Sequence, residues 1–209
     1  MAFVLTPLAF SVIGYLVIYL VFGSIIDPLA GAWNLITGGD KVHGDEDLTV
    51  NRLDGYTETV PSSLIKFPNF GDIYGRLSIP SADILDAPVY YGDDESLLKK
   101  GICQYNGSLY VGSGSTVLLS GHNNTYLHTL GNAQVGDTVT FSTQYGDYVY
   151  EIESTAIMNH KDSAAYDLSA DYENLVIYTC YPFNTLGLTA KRYFVYCKYV
   201  SGPRILYDR

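Results

Sequence analysis

The hydrophobic pattern divides the chain into three textures. Residues 1–26, MAFVLTPLAFSVIGYLVIYLVFGSII, are apolar and carry no charge; the first charged residue is Asp27. About 20 apolar residues suffice to cross a bilayer as a helix, so this stretch predicts a transmembrane anchor. Pro7 stands near its start, and Gly14 and Gly23 are ordinary in membrane helices. A cleaved secretory signal is the rival reading, with Ser24, Ala30 and Ala32 as small residues for a cleavage site. No basic residue flanks the run on its N-terminal side, so the usual orientation signal is missing. Both readings put the remainder outside the cytoplasm. Residues 27–70 read as a connector, with Gly38, Gly39, Gly44 and Gly55, an acidic cluster at Asp45, Glu46 and Asp47, and a short helix near residues 28–36.

From Tyr74 onward short β-rich runs alternate with turn signals. RLSIP (76–80), APVYYG (87–92), TVLLSGH (116–122), DTVTFST (137–143), DYVYEIES (147–154), NLVIYTC (174–180) and KRYFVYCKYV (191–200) read as strands. Gln144, Tyr145 and Gly146 mark a hairpin between two of them. Helical signal is limited to a turn or two at residues 94–100 and 124–130. Many short strands with Gly-containing turns predict an all-β barrel or sandwich over residues 71–209.

Composition narrows the class. With 209 residues the chain suits one domain with an appendage. Low charge (16%) and 20 tyrosines argue against disorder. The net charge of -10 lies wholly in residues 27–209 and excludes the basic footprint of nucleic-acid binding. Three scattered cysteines exclude a disulfide scaffold and a four-cysteine metal site. The acidic cluster lacks the Gly-centred loop with spaced ligands that calcium requires.

The chemistry-bearing residues sit at strand edges. In NLVIYTC, Val176, Tyr178 and Cys180 share one face and Leu175, Ile177 and Thr179 the other. Cys180 closes the strand just before Tyr181 and Pro182, a rigid base for a reactive group; a small buried hydrophobe is the commoner use of a free Cys. In the next strand Arg192 shares a face with Phe194, Tyr196 and Lys198, and a loop between adjacent antiparallel strands could bring it beside Cys180. A fixed cation there lowers a thiol pKa and holds a developing oxyanion; a surface ion pair is the ordinary alternative. His122 ends TVLLSGH, and imidazole is the usual acid or base for a nucleophilic Cys. His43, His128 and His160 are less well placed.

These residues resemble the sortase family, over residues 74–200. YGRLSIP resembles its opening strand, and APVYYGDDESLLKKGICQY its next segment. TVLLSGHNNTYLHTLGNAQVGDTV resembles the region of its catalytic His. NLVIYTCYPFNTLGLTAKRYFVYCKY resembles the strands of its nucleophilic Cys and partner Arg. TCYPF followed by a Gly and KRY is most like the class D branch, although the first Thr of the family's TLxTC pattern is Val176 here. The resemblance implies an eight-stranded sortase-type β-barrel behind a membrane anchor, single-pass, with the catalytic domain outside a Gram-positive cell. It implies a cysteine transpeptidase that cleaves the Thr–Gly bond of an LPXTG-like signal on secreted proteins. Cys180 would be the nucleophile, His122 the acid and base, and Arg192 the oxyanion or peptide ligand. A peptidoglycan-precursor amine would accept the acyl group.

Thr179 and Tyr181 flank the nucleophile and, with Ala164, Tyr166, Leu168 and Tyr172 of the preceding loop, are expected to line the peptide groove; core packing accounts for the loop residues equally well. Cys103 and Cys197 read as packing residues, with a disulfide between them as the remoter option. The chemistry requires no cofactor and no metal, and calcium activation has no support in the sequence. Two alternatives stay open: a pilus-assembling sortase, and a non-catalytic membrane-tethered β-domain that binds a surface ligand.

Overall fold

The computed structural model describes residues 10–14, 17, 53, 55–183 and 189–208. The first of these groups and Val17 are helical. No helix among the described residues is long and apolar enough to cross a membrane. Most of the stretch read as an anchor, the helix expected near residues 28–36 and the acidic cluster lie outside the described residues.

Among the described residues ten strands follow: β1 (Thr59–Pro61), β2 (Ile73–Ile79), β3 (Ile84–Tyr91), β4 (Ile102–Gln104), β5 (Thr116–Gly121), β6 (Thr138–Thr143), β7 (Gly146–Asn159), β8 (Asn174–Tyr181), β9 (Lys191–Ser201) and β10 (Arg204–Leu206). Eight close into a barrel in the order β2-β3-β4-β5-β8-β9-β7-β6, so a barrel and not a sandwich forms. The β3–β4 and β5–β8 pairs are parallel and the other barrel pairs antiparallel. The seven strands expected from alternation are all present. β4, at three residues, is too short to show a period. β1 and β10 pair in parallel beside the barrel. Thr59–Pro61 falls within the stretch read as a spacer, and Val60 and Ile65 are buried in the core. The folded unit thus reaches back before residue 71, because a three-residue strand gains its partner only from the far end of the chain.

Alternation sorts the strand side chains between the lumen and the outer face. Leu119, Leu175, Ile177, Val195 and Cys197 fill the lumen with Leu77, Phe141 and Ile152. Leu118, Val176 and Phe194 point outward and are covered by Ala165 and, in part, by Leu168 of the β7–β8 loop. A helical turn, Glu95–Leu98, is capped by Asp94, whose Oδ1 accepts from the Leu97 amide at 2.9 Å. Leu97 of this turn covers Tyr90 and Cys103.

One buried charge organises the barrel end where β8 begins. Glu173 accepts from the amides of Gly112 (3.0 Å) and Gly114 (2.7 Å) and from the Tyr150 hydroxyl (2.9 Å). Both glycines have positive φ, 89° and 82°, a conformation that costs other residues energy. It aims two alternate amides at one carboxylate. Burial still pushes the Glu173 carboxyl above its ordinary pKa against these bonds.

Candidate active site

Three neighbouring strands bring the chemical residues together. β5 and β8 run parallel, with Leu118 beside Val176, Ser120 beside Tyr178 and Gly121 beside Thr179. β8 and β9 run antiparallel, with Val176 opposite Tyr196, Tyr178 opposite Phe194 and Cys180 opposite Arg192. Every second residue shares a face. The outer face therefore carries successive rows: Leu118–Val176–Tyr196, then Ser120–Tyr178–Phe194, then His122–Cys180–Arg192. His122 is the first residue past β5, so it enters the last row by continuing the β5 alternation. Directly opposed side chains on adjacent strands have Cβ atoms about 5 Å apart. The register therefore sets Cys180 and Arg192 side by side, with His122 one residue past the last β5–β8 pair.

Their surroundings suit reaction. Cys180 is half-buried, whereas Cys103 and Cys197 are fully buried. Burial, first of all, pushes the Cys103 and Cys197 thiols up to about 12. Cys103 lies on the outer face beneath the helical turn and Cys197 in the lumen, so the sheet separates them and all three cysteines are free. The expected packing role holds for both, and the remoter disulfide is excluded by their placement on opposite faces.

His122 is half-buried, and its pKa lies below the ordinary imidazole value because burial disfavours the charged ring. Glu95 opposes that effect and Lys99 adds to it, both from the helical turn. Around neutral pH the ring is therefore mainly neutral, the form that accepts a proton. Arg192 is oriented by the chain itself. Its Nη1 donates to the carbonyls of Thr189 (2.6 Å) and Lys191 (3.0 Å). The phenol of Tyr178, in the next row, is pushed up by burial, with a Ser120 hydrogen bond and the Arg192 charge acting against the rise. Arg192 shares a face with Tyr178 by the β8–β9 register.

The expected groove residues divide. Thr179 faces the lumen, 1% exposed, and its Oγ1 donates to the Gly121 carbonyl at 2.7 Å. Its side chain joins β8 to β5 and does not border the outer face, as the alternation of Cys180 and Thr179 requires. Tyr181 is half-buried and meets Phe183 edge-on, centroids 5.9 Å apart. Ala164 and Tyr166 are exposed, and Leu168 packs on the outer cluster of Val176 and Phe194. Tyr172 is exposed. The outer face next to the row is a run of rings: Tyr178 stacks on Phe194 (5.3 Å) and Phe194 on Tyr196 (6.0 Å). Among the described residues no group of His, Cys, Asp or Glu forms a metal site.

Sequence reasoning passed over Asn123 and Glu173. Asn123 is buried and its Nδ2 donates to the Pro182 carbonyl at 2.9 Å. Its one signal was adjacency to His122. Glu173 was legible only as an acid directly before the most apolar strand, with a Gly-x-Gly run upstream.

A family model described as Sortase domain matches residues 77–200. The chain is 34% identical over 134 residues to Sortase D of Bacillus subtilis (strain 168), covering 64% of this chain and 67% of that protein. Among solved structures, a sortase D5 transpeptidase of Clostridium perfringens aligns with a TM-score of 0.58 at 20% identity, covering 65% of this chain and 83% of that one. Sortase C-3 of Streptococcus pneumoniae aligns with a TM-score of 0.57 at 21% identity, covering 87% and 83%. The protein thus belongs to the sortase family and is a cysteine transpeptidase, with its curated likeness in sortase D. Members of this family act on proteins that carry sorting signals and are typically membrane-associated, with the catalytic domain outside the cell.

Proposed function

We propose that this sortase cleaves the Thr–Gly bond of an LPXTG-like signal on secreted proteins and transfers the acyl group to an amine of a cell-wall precursor. The observation that carries the reading is the pairing of Cys180 with Arg192 across β8 and β9, with His122 one residue past the last β5–β8 pair. The aromatic run beside these residues supports an extended peptide on the outer face.

The steps follow from the placement. The Cys180 Sγ attacks the scissile carbonyl carbon while its proton passes to neutral His122. The oxyanion that forms faces the Arg192 guanidinium, which stabilises it by charge-assisted hydrogen bonding. The intermediate collapses, the C–N bond breaks, and His122 returns the proton to the departing Gly amine. An acyl thioester remains on Cys180. An incoming amine attacks it, His122 takes the amine proton, and the thiolate leaves and is reprotonated. The thioester conserves the energy of the peptide bond, so transfer proceeds without a nucleotide outside the cell. An anchor in residues 1–26 would hold the enzyme where secreted substrates and lipid-linked amines meet, raising their effective concentration.

The test is intact-protein mass spectrometry after mixing with an LPXTG-type peptide. The expected result is an adduct of the peptide's acyl portion on Cys180, discharged when an amine such as triglycine is added. Absence of any adduct across LPXTG-type peptides, with cleavage of a different sequence instead, would replace the proposed motif. An adduct at another residue would remove Cys180 from its role.

A further inference from the structure

The β5–β8 ladder ends one residue before the reactive row. Gly121 beside Thr179 is its last pair. Beyond it the chain after His122 runs through successive turns: Thr125 N–H donates to the His122 carbonyl (3.4 Å) and His128 N–H to that of Thr125 (3.2 Å). Backbone pairing therefore does not fix the spacing of His122 and Cys180. Two side-chain bonds bracket them instead. Thr179 Oγ1 reaches the Gly121 carbonyl before the row, and Asn123 Nδ2 reaches the Pro182 carbonyl after it. Of the two side-chain atoms of Asn123 only Nδ2 can donate, so its orientation follows from the carbonyl partner. Asn123 is 6% exposed, and its bond is shielded from water. Farther along the same loop, the Phe183 ring lies close against Gly131; a Cβ there would meet it at 2.7 Å.

We propose that Asn123 is a positioning residue of the transpeptidase: by tying the residue after His122 to the Pro182 carbonyl, it holds the imidazole in register with the Cys180 thiol. The inference rests on the assignment of His122 and Cys180 as the reacting pair. Without the tie the turn is free to lift, and the ring moves away from the sulfur and toward water. A misplacement on the order of 1 Å at a reacting group costs about 100-fold in rate. The outer face of β8 and β9, where the proposed peptide lies, holds neither partner of this tie, so the loss falls on kcat. The charged and titratable groups around the ring, Glu95 and Lys99 from the helical turn and Cys180 and Arg192 from β8 and β9, stay where they are.

The experiment compares wild type with Asn123→Ala and with Asn123→Asp, which sets an acceptor where the donor stood. His122→Ala and Cys180→Ala serve as references. Transpeptidation of an LPXTG-type peptide to triglycine is followed together with thermal melting. The His122 ring is titrated by NMR in the Cys180→Ala background, where no thiol is coupled to it. The expected result is a kcat lowered roughly 10- to 100-fold with KM within about threefold, a fully folded protein at assay temperature, and a His122 titration moved up toward the ordinary imidazole value as the ring gains water. Asn123 variants with wild-type kcat beside inactive His122→Ala would overturn the proposal and leave the site assignment standing. So would a rate loss matched by the unfolded fraction, or an unmoved His122 titration. Full turnover by His122→Ala would overturn the site assignment itself and the inference with it. The titration reads the tie even where the peptide is a slow substrate.

Discussion

Selective alkylation of the three cysteines tests the site before any substrate is known. The perturbation is iodoacetamide on the folded protein at pH 7.5, and the assay is peptide mapping by mass spectrometry over time. Only a thiolate reacts. With thiols pushed up to about 12, Cys103 and Cys197 hold roughly 3 in 100,000 of their molecules as thiolate at that pH. An unperturbed cysteine, pKa about 8.5, holds roughly 10%. Ionisation alone therefore slows the two buried thiols by about 3,000-fold relative to an ordinary exposed one. Access slows them further, because both have 2% or less of their surface in contact with solvent. Cys197 lies in the barrel lumen and reacts only through opening of the sheet. Cys103 is covered by a four-residue turn, whose opening is a smaller event. The expected order is Cys180 first by orders of magnitude, then Cys103, then Cys197. Asp94→Ala, which removes the cap of that turn, should speed Cys103 and leave Cys197 unchanged. Labelling of all three at similar rates in the folded state would refute the reasoning and favour a binding domain with an inert Cys180.

Substitution at the reactive row should separate the roles. Cys180→Ala should abolish transfer, and His122→Ala should lower kcat/KM by about 10²–10⁴. Arg192→Ala should cost a comparable factor; Arg192→Lys should not restore it, because one ammonium cannot reproduce the planar fork held by the Thr189 and Lys191 carbonyls. Near-normal turnover by the Lys variant would overturn the fork's role. Thr179→Val removes the 2.7 Å bond to the Gly121 carbonyl while keeping the shape, and should lower unfolding free energy by about 1–2 kcal/mol in urea melts; an unchanged midpoint would show that the carbonyl finds another partner. Glu173 should give stability a pH signature. Its folded pKa is raised above the ordinary 4.5, so the folded state favours the protonated form. Its contribution is fully present below 4.5 and is lost as pH rises through the raised folded value. The difference between wild type and Glu173→Gln in chemical denaturation should fall across that window. A difference that rises there would mean that the amides and Tyr150 outweigh burial.

Period-two alternation determined more of the active face than any motif did. Val176, Tyr178 and Cys180 against Leu175, Ile177 and Thr179, and Arg192, Phe194 and Tyr196 against Cys197, are settled by the chain's own spacing once the runs are strands. A strand has two faces and only one can fill the lumen. The same logic makes Thr179 a lumen residue, and its expected place in the groove went against the alternation of its own strand. The order His122, Cys180, Arg192 along the chain, with the flanking motifs, was enough to suggest the family. Alternation alone left barrel and sandwich open, because it describes a half-buried strand and is silent on its neighbours; the family resemblance is what pointed to the eight-stranded barrel that forms. The strands β1, β4 and β10 were not legible, being too short for a period and dependent on partners distant in sequence.

What tertiary structure alone decided is the company each polar group keeps. Asn123 and Pro182 stand 59 residues apart, and Glu173 stands 61 from Gly112. A buried donor or acceptor must be satisfied by whatever group the fold brings within 3 Å. The sequence names the groups; only closure of the barrel chooses their partners.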